Sequence, residues 1–191
     1  MRKFWQILAA IAAALILGLG SAVWAVNSVA QRTWVKNGAW HIDLAVGSSE
    51  ADLYTRAAVA RSGLFALNKS ETIYFVTSTD DEGRSLSSEC DYRVEGRDLE
   101  ARWWSITLYG ADYFLIPNEQ KKYSYNWRNV ERQPDGGYVI HVSPTPKKGN
   151  WIPSGREKQL YLSLRLYNPV DQAVARPDQA ILPRIIREGR R

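Results

Sequence analysis

From Phe4 to Gln31 the chain carries no charged side chain, and Ile7–Val26 is an apolar run of 20 residues interrupted only by Gly18, Gly20 and Ser21. No other feature constrains the fold as strongly. As an α-helix rising 1.5 Å per residue, such a run spans about 30 Å, the thickness of a bilayer's hydrocarbon core. Arg2 and Lys3 precede it, so the positive-inside rule predicts a cytoplasmic N-terminus and an exported remainder. Trp5 and Trp24 stand near its two ends, where amphipathic rings suit the headgroup region. A cleaved signal peptide competes with this reading, because Ser28-Val29-Ala30 offers small residues for cleavage after Ala30. The run is longer than the roughly 7–15 residues of an ordinary signal h-region, which favours an uncleaved anchor over residues 4–30. Ala10, Ala14, Gly18 and Ala22 recur every fourth residue. A small-residue stripe of this kind lets two membrane helices approach closely, so a homo-oligomer through Ala14, Gly18 and Ala22 is one expectation.

The net charge of +5 comes from the two ends of the chain. Arg2 and Lys3 lie before any acid, and Arg176, Arg184, Arg187, Arg190 and Arg191 face only Asp178 and Glu188 in the last segment. Residues 31–175 therefore hold 18 basic and 18 acidic side chains. A nucleic-acid binder concentrates positive charge on its folded body, so nucleic acid is excluded as the expected partner. Two His, one Cys and one Met are too few soft ligands for a multi-ligand metal or haem centre, and neither metal nor cofactor is expected. A lone Cys90 closes no internal disulfide.

The chain divides into a membrane or signal segment at 1–30, a folded domain at 31–175 and a basic tail at 176–191. Residues 27–47 read as an extended lead-in containing Trp34 and Trp40. Ser49-Glu50-Ala51-Asp52 resembles a capping box with Ser49 as N-cap. Leu53, Ala57, Ala60, Leu64 and Leu67 then follow at helical spacing, which predicts an amphipathic helix with Thr55, Arg56, Arg61 and Ser62 in solvent. Beyond it, strands are predicted at Thr72–Ser78, Glu89–Val94, Arg102–Tyr109, Tyr113–Ile116, Tyr123–Val130, Tyr138–Ser143 and Leu160–Tyr167. Gly, Asp and Pro clusters separate them. Short connections predict antiparallel pairing, and seven short strands predict a two-sheet β-sandwich or jelly roll carrying one helix.

Two of these strands have clearly divided faces. Trp104, Ile106 and Leu108 alternate with Trp103, Ser105, Thr107 and Tyr109. Leu160, Leu162, Leu164 and Leu166 alternate with Tyr161, Ser163, Arg165 and Tyr167. A period of two sends the sets to opposite sides of a sheet. The aliphatic sets belong to the core. The opposite sets combine flat rings, hydroxyls and one guanidinium, the chemistry of a binding surface. Tyr, Trp and Thr are also good strand formers, so plain packing competes with that reading. Catalytic signals are thin, and no catalytic residue is assigned. Glu89 and Asp91 would share one strand face about 7 Å apart, a spacing compatible with an acid/base pair, although solvent-facing carboxylates are the commoner case. His141 is expected opposite Ile140 and Val142. No Gly-x-Ser-x-Gly elbow or phosphate-cradling glycine loop occurs.

The motifs Arg102-Trp103-Trp104-Ser105-Ile106-Thr107-Leu108-Tyr109, Pro117-Asn118, Asp135-Gly136, Asn150-Trp151-Ile152-Pro153 and Leu164-Arg165-Leu166-Tyr167-Asn168-Pro169 occur in that order. The set resembles the bacterial domain of unknown function 1214, and the Leu64–Phe75 segment resembles its short, membrane-anchored members. Ile152 stands where the family has Leu, and no stretch of these 191 residues resembles the larger neighbouring domain of many long relatives. The resemblance implies an antiparallel, jelly-roll-like β-sandwich in a bacterial envelope, and it implies no reaction. It places Trp103, Arg165, Asn150 and Trp151 within family motifs. Asn150 can equally cap a turn and Trp151 plug the end of a sandwich.

The combined expectation is a single-pass protein of the bacterial inner membrane with a periplasmic main domain, or a secreted one if cleaved after Ala30. It would bind a small molecule, glycan or envelope protein, without catalysis, through Trp103, Ser105, Thr107, Tyr109, Asn150, Trp151, Tyr161, Arg165 and Tyr167. Two alternatives remain. One is an envelope hydrolase or carbohydrate-active enzyme using acids beside the aromatic face; the other is an oligomeric envelope assembly factor.

Overall fold

The computed structural model describes residues 2–29, 34–49, 51–61 and 66–190. Glu50, Ser62 and Leu64 of the predicted helix, Ala30 of the cleavage site and Arg191 of the tail lie outside the described residues. The uncharged run forms α1 (Arg2–Val29). It is long and apolar enough to cross a membrane, with a mean hydropathy of 2.3 over its 18-residue apolar window, and its described side chains are exposed along nearly its whole length.

The expected lead-in is a hairpin. β1 (Trp34–Asn37) pairs with β2 (Trp40–Asp43) around Gly38-Ala39, with Asn37 opposite Trp40. Gly38 has φ of 61°, the left-handed conformation that a two-residue type II′ turn demands of its first central residue. Next comes α2 (Leu53–Arg61). Its N-terminus is capped by Asp52, whose Oδ1 accepts from the amides of Tyr54 at 2.8 Å and Thr55 at 3.1 Å, whereas Ser49 was the expected cap. The side that packs is also not the expected one. Thr55 is buried at 3% exposure, while Leu53 stands 80% exposed and Ala57 and Ala60 are exposed.

The remaining strands are β3 (Thr72–Thr77), β4 (Cys90–Gly96), β5 (Ala101–Tyr109), β6 (Ser124–Asn126), β7 (Tyr138–Ser143), β8 (Asn150–Pro153), β9 (Tyr161–Pro169) and β10 (Arg184–Arg190). A six-stranded sheet runs β1-β2-β3-β9-β5-β6 and a four-stranded sheet runs β10-β4-β7-β8. The predicted mainly β, two-sheet fold is therefore the observed one. Tyr113–Ile116 contributes a single bridge, Leu115 to Tyr109, and not a strand. Tyr123–Val130 shortens to β6 because the Asn126 and Asn129 side chains take backbone amides and turn the chain.

Two pairings depart from the expectation. β8 runs parallel to β7, with Ile140 opposite Asn150. The 144–149 loop has only to carry the chain back along β7 by about 10 Å, at about 3.3 Å per residue, so no helical crossover is needed. The basic tail is also structured in its last residues. β10 pairs with β4 at the sheet edge, and Ile185 is fully buried. Before it, Asn37 Nδ2 donates to the carbonyls of Pro177 and Ala180, and Trp40 Nε1 donates to that of Pro183 at 2.7 Å. The segment containing α3 (Asp171–Ala175) and the 3-10 turn Pro177–Gln179 thereby leads the chain past the first hairpin and into the second sheet.

The alternation read from sequence explains the core. Trp104, Ile106, Leu108, Leu162, Leu164, Leu166, Ile73 and Phe75 of the six-stranded sheet meet Tyr92, Val94, Tyr138, Ile140, Val142, Ile152 and Ile185 of the other sheet in one buried cluster. Trp104 stacks on Tyr138 at 4.8 Å between ring centroids, which ties the two layers together.

Candidate functional site

The register of the six-stranded sheet aligns the non-core positions into rows across its outer face. Ser105 lies opposite Arg165, which lies opposite Tyr74; Thr107 lies opposite Ser163, which lies opposite Val76. Trp103 with Tyr167 closes one end, and Tyr109 with Tyr161 closes the other. Trp103 and Tyr167 meet edge to face at 5.0 Å, and Tyr161 is backed by Tyr113 at 4.9 Å. Burial, and then the neighbouring Tyr113, push the Tyr161 phenol above its ordinary value, so it remains a neutral donor near neutral pH.

Arg165 organises this face. Its Nη2 donates to the Tyr109 hydroxyl at 2.7 Å, and its guanidinium lies 5.7 Å from the centre of that ring. To reach Tyr109 from the Ser105 row, the side chain must pass over the Thr107–Ser163 row. Ser105, Thr107 and Ser163 on and beside that path are only 5%, 6% and 7% exposed, although the face is turned away from the core. The result is a floor of three small hydroxyls between aromatic ends, roofed in part by a cation.

Seven of the nine residues expected to bind are thus brought together: Trp103, Ser105, Thr107, Tyr109, Tyr161, Arg165 and Tyr167. Asn150 and Trp151 are not among them, because β8 lies at the edge of the other sheet. Asn150 is an internal clamp. Its Oδ1 accepts from the Glu131 amide at 2.7 Å, and its Nδ2 donates to the Glu131 and Val139 carbonyls at 2.8 and 2.9 Å. Trp151 Nε1 donates to the Ser143 carbonyl. Glu89 sits in the turn before β4, and Asp91 is bound by Lys147 Nζ at 2.6 Å and the Ser143 hydroxyl at 2.8 Å. Asp91 thus belongs to the four-stranded sheet, and the two carboxylates do not share the strand face expected of them.

The sequence reading missed residues that extend the same face. His41 lies in the Val76–Ser163–Thr107 row, and Trp34 stacks on its ring at 4.0 Å. Burial, aided by the Lys36 charge, lowers the His41 pKa to about 4, so the ring is a neutral polar group. The Gly38-Ala39 turn between two short alternating stretches was the available signal for this hairpin. A depression of about 440 Å³ lies apart from this face, at the end of the four-stranded sheet between Glu95, Val139, Ile181, Leu182 and Arg184. Its arginines are neutralised, Arg93 by Glu95 and Glu188, Arg97 by Asp135 and Arg184 by Asp81.

Comparison with known proteins agrees with this architecture. The crystal structure of the VPA0106 protein from Vibrio parahaemolyticus shares the fold, with a TM-score of 0.60 and 24% identity over 71% of this chain and 35% of that one. An uncharacterized protein from Burkholderia cenocepacia aligns with a TM-score of 0.40 and 21% identity over 61% of this chain and 29% of its own. The present chain therefore spans about a third of the length of these solved relatives. No curated protein matches the sequence. The model of the protein of unknown function family DUF1214 matches residues 71–171, which covers β3 to β9 and every one of the seven clustered residues. The chain belongs to the DUF1214 family.

Proposed function

We propose that this is a single-pass envelope protein, anchored in the bacterial inner membrane by α1, whose periplasmic β-sandwich binds a ligand or partner on the outer face of the six-stranded sheet and performs no catalysis. The observation that carries the binding reading is the Ser105–Thr107–Ser163 floor framed by Trp103, Tyr167, Tyr109 and Tyr161. Of the three only Thr107 is a favoured strand former, so strand propensity does not account for the two serines in mid-sheet. The three hydroxyls are only 5–7% exposed, so a polar molecule reaches their donors and acceptors when the Arg165 side chain swings off the floor, while the rings supply flat apolar contact. Arg165 adds one fixed positive charge, which suits a glycan acid or a carboxylate. The orientation follows from Arg2 and Lys3 on the near side of the span.

The test is native mass spectrometry of the full chain released from bacterial membranes, compared with a Ser163→Leu variant of unchanged melting temperature. A bound mass on the parent that is missing from the variant supports the reading. Identical spectra for the two proteins sink it.

A further inference from the structure

Arg165 is a half-buried cation without a counter-charge. Three arginines are half-buried among the described residues. Arg93 pairs with Glu95 and Glu188, and Arg187 with Asp80, whereas no carboxylate among those residues comes within ion-pair distance of Arg165. None of the outward positions of β3, β9 and β5 is acidic. The guanidinium donates instead to the neutral Tyr109 hydroxyl. A phenol is a weak partner for such a group. A carboxylate accepts from a guanidinium through two parallel hydrogen bonds and supplies the opposite charge. An arriving anion therefore competes well for Arg165.

The surroundings narrow the class of anion. The Ser105, Thr107 and Ser163 hydroxyls are buried on and beside the path of the Arg165 side chain, so a ligand reaches them once the guanidinium has moved. Tyr109 and Tyr161, with Tyr113 against Tyr161, stand at one end of this floor, and Trp103 with Tyr167 at the other. Rings on either side of hydroxyls suit a molecule that has apolar ring faces and several hydroxyls of its own. A simple aliphatic acid leaves the floor unused, and a neutral sugar leaves Arg165 on Tyr109. We propose that the ligand of this face is a sugar acid, whose carboxylate takes Arg165 from the Tyr109 hydroxyl and so opens the Ser105–Thr107–Ser163 floor to the sugar's hydroxyls. The proposal rests on the reading of this face as a binding surface. The Tyr109–Arg165 contact is then a latch: the apparent affinity is the intrinsic one scaled by the fraction of molecules in which Arg165 has left the phenol.

The experiment is saturation-transfer NMR on the full chain in nanodiscs, titrated with methyl β-glucuronide and separately with methyl β-glucoside. The two differ only in carrying a carboxylate or a hydroxymethyl group. The parent should bind the glucuronide about tenfold more tightly than the glucoside. Arg165→Met should reduce the glucuronide to the level of the glucoside. Tyr109→Phe, which deletes the acceptor and keeps the ring, should bind the glucuronide several-fold more tightly than the parent. Acetate should displace the glucuronide only in large excess. Equal affinity for the two glycosides, or displacement by acetate at equal concentration, overturns the sugar acid. A folded Tyr109→Phe protein that binds the glucuronide no better than the parent overturns the latch. If no glucuronide binds, the proposal fails. The reading of the face as a binding surface outlives that failure where native mass spectrometry still shows a mass on the parent that Ser163→Leu loses, and falls with it where it does not.

Discussion

The Arg165 guanidinium spans the Thr107–Ser163 row to donate to the Tyr109 hydroxyl at 2.7 Å. A cation thus lies across the hydroxyl floor of its own sheet, held by a residue two rows away. Tyr109→Phe removes the acceptor and leaves a part-buried charge with one fewer partner. We expect it to cost about 1–2 kcal/mol. Arg165→Met should cost a similar amount, and the double variant no more than the larger single loss. Urea unfolding of the four proteins checks this; strictly additive losses would show that the contact contributes nothing.

Asp80 couples acidity to the last strand. It is 1% exposed, and burial works to raise its pKa. The Arg84 amide and guanidinium, each at 2.9 Å, and the charge of Arg187 outweigh burial and hold it below the ordinary carboxylate range. A folded-state pKa below the unfolded one contributes stability that is present above about pH 4 and lost as pH falls through the folded value. Arg187 belongs to β10, so protonating Asp80 releases that edge first. Hydrogen exchange below pH 4 should rise in residues 184–190 before β5 or β9, and Asp80→Asn should show the fast exchange already at neutral pH.

His41 titrates with the same sign for a different reason. Its pKa is lowered to about 4 by burial and by Lys36. The unfolded chain takes up a proton near pH 6.5 and the folded chain does not, so stability is full above pH 6.5 and declines toward pH 4. With part of the ring in solvent, the decline should be about 1–2 kcal/mol, roughly half of what the shift alone implies. His41→Phe keeps a ring against Trp34 and should flatten stability over that interval. An unchanged slope in the variant would remove His41 as its source.

Asn150 and Trp151 should behave as supports of the second sheet. Asn150→Ala deletes three hydrogen bonds and strands the Glu131 and Val139 carbonyls, at an expected cost of about 2–4 kcal/mol. Among molecules that remain folded, any mass retained by the parent should be retained by the variant. Selective loss of that mass with unchanged melting would move Asn150 into the binding site.

Two kinds of information were legible in the sequence. The uncharged run and the period-two alternation of β5 and β9 depend only on local geometry, so the helix, the two-sheet class and the inner and outer faces of those strands followed directly. The seven clustered residues were legible for the same reason, since i and i+2 on paired strands share a face whatever else the chain does. Partner choice across long separations was not. Asp52 caps α2 in place of Ser49 because the helix begins at Leu53, and Thr55 is buried in place of Leu53 in a helix that packs on α1. Asn150 and Trp151 carry no local mark that distinguishes a binding residue from a clamp. Only the pairing of β8 with β7 shows that Asn150 satisfies the Glu131 and Val139 backbone at the edge of the other sheet. The basic tail forms β10 because Ile185 fills the core, its amide donates to Asp81 Oδ1 and its strand pairs with β4, partners about a hundred residues away. Periodicity fixes which way a side chain points; the tertiary structure decides what it meets, because that depends on contacts whose free energy exists only once distant segments have been brought together.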